Sequence, residues 1–179
     1  MGAAMHARFL RHRAPVALAL LAGLAQGPAA WAQQGTQAPG QAASPIYGVT
    51  IPPGYRKWEM IAPAEEAAPL DELRVVLGNP VAIKAIENAT LPYPDGTILV
   101  KLAYKRKQSD DFGSATVPGQ PTTVQVMVKD SRRYASTGGW GYGRFINGVP
   151  ANEAQHQTCF ACHASKVKDR DYVFTRFAP

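Results

Sequence analysis

Strand signals dominate this sequence and predict an α+β fold, mainly antiparallel β-sheet with a few short helices. Three observations carry that reading. Residues 97–105 and 122–129 are rich in β-branched side chains, and Val124, Val126 and Val128 alternate onto one face. The turn Tyr93-Pro94-Asp95-Gly96 delivers the chain into the first of these strands, its proline pre-setting φ and its glycine supplying a positive φ. A helix start is marked at Asn79-Pro80, an N-cap followed by a proline in the first helical position.

Taken in order, Pro52-Pro53-Gly54-Tyr55-Arg56-Lys57-Trp58 reads as a turn and a short helix, with Trp58 and Met60 expected in the core. Leu73-Arg74-Val75-Val76-Leu77 is a short strand stopped by Gly78-Asn79-Pro80. The helix after it is expected over residues 80–88, with Val81, Ile83, Ala85 and Ile86 as its apolar stripe. Lys105-Arg106-Lys107 and residues 109–114 read as an exposed loop. A third strand or extended turn holds Gly138-Gly139-Trp140-Gly141-Tyr142-Gly143-Arg144-Phe145, where dense glycine implies a tight bend or close approach to something flat.

The C-terminal part completes the fold class with a haem c attachment motif. Cys159-Phe160-Ala161-Cys162-His163 contains the only two cysteines of the chain. In this C-x-x-C-H spacing two thiols can each form a thioether to one porphyrin, and the next residue can give an imidazole nitrogen to its iron. Two other chemistries use such residues. A redox disulfide of the thioredoxin type needs a βαβ unit, and none is visible. A structural zinc site needs four ligands, and with His156 as the fourth, three of them would crowd into five residues. The pattern therefore reads as one covalent haem c with Cys159 and Cys162 as attachment points and His163 as iron ligand.

The N-terminus reads as an export signal over residues 1–32. Arg8, Arg11 and Arg13 precede a short apolar run, and Ala30-Trp31-Ala32 gives a cleavage pattern. The run falls short of the roughly 20 residues of a spanning helix. No membrane span is expected after cleavage, and the compartment is expected to be the periplasm. Residues 33–45 read as a disordered linker, leaving 46–179 as the haem domain. Of 19 basic residues the signal holds three arginines, so the mature chain has 16 against 13 acidic ones, a net charge of +3. That balance argues for neither nucleic acid nor a membrane surface.

The mature chain holds two histidines, His156 and His163, and two methionines, Met60 and Met127. His156 is close to His163 along the chain for a ligand on the opposite face of a haem. Met127 lies opposite the valine face of its strand and is a core residue or a ligand. We read the second axial position as open, which suits binding of small molecules. Lys101 sits in Ile98-Leu99-Val100-Lys101-Leu102-Ala103 and shares a face with Leu99 and Ala103. It is either an edge-strand lysine reaching water, which parity alone favours, or a functional amine with a lowered pKa.

Several segments together resemble the cytochrome P460 family: Gly54 to Trp58, Leu73 to Asn79, Pro92 to Thr97, Val126-Met127-Val128-Lys129-Asp130, Thr137-Gly138-Gly139-Trp140-Gly141, and the C-terminal motif with Asp171-Tyr172-Val173-Phe174. The resemblance implies a periplasmic, largely β-sheet monohaem protein, often a homodimer. It implies a lysine linked to a haem meso carbon, carried here to Lys101, with Arg74 near the haem pocket. It also implies a distal carboxylate shortly before the haem motif. Glu153 occupies that region, and a one-residue shift would bring Ala154 there instead. With these residues the chain would oxidise hydroxylamine together with nitric oxide and pass electrons to a partner cytochrome. The alternative is a relative of the cytochromes c′-beta, which bind gases or transfer electrons without turnover.

Overall fold

A computed structural model describes residues 42–178. The expected export signal and residues 33–41 of the expected linker lie outside the described residues. Six strands, β1 (Glu59–Glu66), β2 (Glu72–Gly78), β3 (Ile98–Gln108), β4 (Thr116–Lys129), β5 (Trp140–Ile146) and β6 (Val149–Pro150), form one antiparallel sheet in chain order. Helix α1 (Pro80–Glu87) joins β2 to β3, and helix α2 (Glu153–Val167) follows β6. The α+β expectation is met, and the sheet is a meander because strands consecutive in the chain are neighbours in it.

Register sorts the side chains into two faces. Val76, Lys101, Gln125 and Arg144 lie opposite one another across β2, β3, β4 and β5. Arg74, Ala103 and Thr123 form the neighbouring row, and Gly78, Leu99, Met127 and Tyr142 the row on the other side. Rows two residues apart share a face, so Arg74, Lys101, Arg144, Met127 and Tyr142 all project from one side of the sheet. The opposite face is apolar, with Val100, Val126 and Phe145 at 1% exposure or less. Each such side chain contributes about 1.5–3 kcal/mol.

The N-terminal cap of α1 forms as its sequence dictates. The Asn79 side chain accepts from Ala82 N at 3.0 Å, and Pro80 stands where no amide donor is needed. Its buried residues are Ala82, Ile83 and Ala85, whereas Val81 is exposed. Met60, expected in the core, is also exposed. The register shift between Met60 and Ala62 inserts a residue into β1, and Ile61 takes the buried position instead. Lys105, Arg106 and Lys107 belong to the exposed end of β3 rather than to a loop. Ser44, assigned to the linker, is buried, and its hydroxyl donates to the Tyr142 carbonyl at 2.9 Å.

Gly141 of β5 and Gly138 just before it lie against flat groups of the chain itself. A Cβ on Gly141 would fall 2.3 Å from the Tyr134 ring, and one on Gly138, at φ +67°, 2.1 Å from the Tyr172 ring. Both positions admit only hydrogen.

Candidate haem site

Helix α2 starts at Asn152, whose side chain accepts from Gln155 N at 3.0 Å. One turn on, His156 is completely buried against β5. Its Nε2 accepts the Arg144 amide at 3.0 Å, and its Nδ1 lies 2.9 Å from the Asn152 carbonyl. The acceptor role of Nε2 puts the proton on Nδ1, which donates to Asn152. Both nitrogens are thereby committed, so His156 is a clamp between α2 and the sheet and not an iron or zinc ligand. Among the described residues no group of three or more His, Cys, Asp or Glu side chains is placed to hold a metal ion. His156→Ala is expected to cost about 1–3 kcal/mol by stranding the Arg144 amide. Chemical unfolding of the purified variant checks this.

The next turns carry the attachment motif. Cys159 is partly buried and Cys162 exposed, with no disulfide between them. The all-antiparallel sheet contains no βαβ unit of the kind a thioredoxin-like pair requires. Burial pushes the Cys159 thiol pKa up, and the Arg144 charge partly offsets this. His163 is held between Tyr142, ring centroids 5.1 Å apart, and Phe174, 4.9 Å apart. Its Nδ1 donates to the Tyr172 carbonyl at 2.7 Å. Burial lowers its pKa, with a smaller contribution from the Lys101 charge, against the Tyr172 hydrogen bond that raises it. A neutral imidazole with Nδ1–H committed leaves the Nε2 lone pair for a metal.

The Tyr172 carbonyl is itself fixed. Asp171 and Tyr172 are consecutive residues with positive φ, 48° and 65°. Lys129, 5% exposed, donates to both Asp171 oxygens at 2.8 Å and to the Gly138 carbonyl at 2.9 Å. Asp171 Oδ2 also accepts the Tyr93 amide at 2.8 Å. This buried ion pair ties β4 to the segment that orients His163. Sequence reasoning did not single it out, although a lysine ending an apolar strand was its visible signal.

Lys101 belongs to β3, an interior strand of the sheet, which corrects the edge-strand explanation. Its ammonium has no hydrogen-bond or ion-pair partner among the described residues. Burial, then the charges of Arg74 and Arg144, lower its pKa to about 8. Because the folded pKa lies below the free value of 10.5, folding disfavours the charged form. Stability should therefore rise as pH climbs from about 8 towards 10.5. The haem-free chain and its Lys101→Met variant, unfolded in urea across that range, should differ in this slope, and only the variant should lack it.

Arg74 pairs with Glu72 at 2.9 Å and with Glu66. Burial pushes the Glu72 carboxyl up, but hydrogen bonds from Thr122 and Arg74 and the Arg74 charge outweigh it and leave the pKa lowered. Arg74 thus shares the face of Lys101 with its own charge neutralised.

The structure does not bring Glu153 to these residues. It stands exposed in the first turn of α2, where its carboxylate accepts from Gln157 at 3.3 Å. At 3.6 residues per turn it lies about half a turn around the helix from Cys162. The carboxylates whose charge reaches Lys101 are Glu72 and Glu66.

These residues fit a haem. Two thiols and an oriented imidazole lie on one helix, and the facing sheet carries Tyr142 Oη and Arg144 Nε, buried without a hydrogen-bond partner. Two surface clefts, of about 400 and 670 Å³, are lined by other residues. Among the described residues no helix is long and apolar enough to cross a membrane. A sequence model of the family described as Cytochrome P460 matches residues 52–175. No curated protein matches the chain.

Proposed function

Because the chain belongs to the cytochrome P460 family and is thus a c-type haem protein, we propose that it is an exported monohaem enzyme that oxidises hydroxylamine together with nitric oxide. Cys159 and Cys162 hold the haem covalently in this reading, His163 ligates the iron, and the opposite position is open. When bound, the haem supplies that open position and takes up the electrons of the oxidation, which pass to a partner cytochrome.

The observation that carries the reading is Lys101. An unpaired amine on an interior strand, with a pKa of about 8, is on the side of the sheet that carries Tyr142 and Arg144. Roughly one Lys101 in ten is the neutral, nucleophilic amine at pH 7. That supports a covalent link from Lys101 to the macrocycle. His163 is held in one tautomer by Tyr172, and Arg74 engages Glu66 and Glu72 as ion-pair partners.

One observation favours the second reading, a gas-binding protein without turnover. Glu66 and Glu72 are engaged by Arg74, and Glu153 stands apart, so no free carboxylate faces Lys101 among the described residues. Turnover of hydroxylamine by the purified protein with a soluble electron acceptor separates the two. Catalysis supports the enzyme; nitric oxide binding with no hydroxylamine oxidation supports the gas-binding protein. Glu153→Ala is expected to leave turnover nearly unchanged, whereas a general base would show a loss of about 10²–10⁴-fold.

A further inference from the structure

Arg144 is a partly buried cation that the described residues leave without a counterion. Its guanidinium forms no ion pair and no hydrogen bond, and its Nε is buried without a partner. The backbone around it is fixed, with its amide held by His156 and its carbonyl accepting from Ala151 N at 2.8 Å. It stands in the same row as Lys101, with Gln125 between them. Its charge is felt at both Lys101 and Cys159, lowering the pKa of each. Arg74, the third cation of this face, is neutralised by Glu66 and Glu72, while Arg144 and Lys101 are not. Leaving two such cations without an anion is costly unless an anion arrives with the occupant of the site.

We propose that Arg144 is an anion-binding residue of this face, taking an oxyanion such as a carboxylate or nitrite on its guanidinium with Lys101 as the neighbouring positive charge. The inference rests on the haem reading above. The shared chemistry is a planar or bent oxyanion matched to the guanidinium fork. Its source is either a carboxylate of the haem itself or a free small oxyanion at the open position.

The test uses the purified holoprotein, Arg144→Gln and Arg144→Lys, after intact mass has established haem content. Sodium nitrite is titrated by calorimetry, which reads binding whether or not haem is present, and carbon monoxide serves as the neutral control. For a free oxyanion, Arg144→Gln weakens nitrite about tenfold or more, Arg144→Lys recovers part of the loss, and carbon monoxide binding stays the same. For a haem carboxylate, nitrite binding is unchanged, but the reduction potential of Arg144→Gln acquires a different pH dependence between about pH 5 and 8. Unchanged nitrite affinity together with an unchanged potential profile overturns the proposal. Absence of haem overturns the haem reading alone, because nitrite binding that depends on Arg144 would still show in the calorimeter.

Discussion

Replacing Asp171 with alanine is expected to destabilise the protein by about 3–5 kcal/mol, the penalty for stranding a buried charge. Lys129 is 5% exposed and has Asp171 as its only counterion among the described residues. The Tyr93 amide would lose its acceptor as well. The effect should not stop at stability. Asp171 precedes the carbonyl that holds His163 Nδ1, and both residues of that turn have positive φ. Loosening the turn should weaken this hydrogen bond, lower the basicity of the imidazole and raise the reduction potential. Pairing Asp171→Asn with Lys129→Met should recover part of the stability, since it removes the stranded charge and keeps an acceptor for the Tyr93 amide. Equilibrium unfolding and potentiometry of the single and double variants check the two effects separately.

Lys101→Met should have the second large effect, on the haem rather than on the fold. The proposed link makes Lys101 the source of any red-shifted absorption, so the variant should show an ordinary c-type spectrum with both thioethers retained. Hydroxylamine turnover should fall to background while nitric oxide still binds. The variant should fold at least as well as the parent, because methionine fills the same space without an unpaired ammonium on an interior strand. An unchanged spectrum would remove Lys101 from the mechanism.

Much of the fold was legible because local signals and register agree. Asn79-Pro80 marked α1, Pro94-Asp95-Gly96 marked the entry to β3, and the alternating valines marked β4. Strand β1 was missed because Pro63 and its alanines and glutamates mimic a loop, and its bulge sets Ile61 rather than Met60 inside. The attachment motif was legible because its chemistry is local, with two thiols and a histidine within five residues.

The rest of the site depends on pairing between distant strands, which no single segment displays. Lys101 was picked out by parity, but only the sheet order shows that β3 is interior. Arg144 looked like one more residue of a glycine-rich run until register set it in the row of Lys101. The dense glycines were read as room for a flat group, and at Gly138 and Gly141 the flat groups are Tyr172 and Tyr134. Glu153 was carried over from the resemblance, and in the structure it stands exposed in the first turn of α2, about half a turn around the helix from Cys162.

Intact-mass spectrometry of the denatured protein, purified from a host that matures c-type haem, tests the central claim most directly. The account predicts a mass equal to the processed chain plus one haem, with neither Cys159 nor Cys162 open to alkylation. The bare mass of the chain, with both thiols alkylating freely, would contradict it.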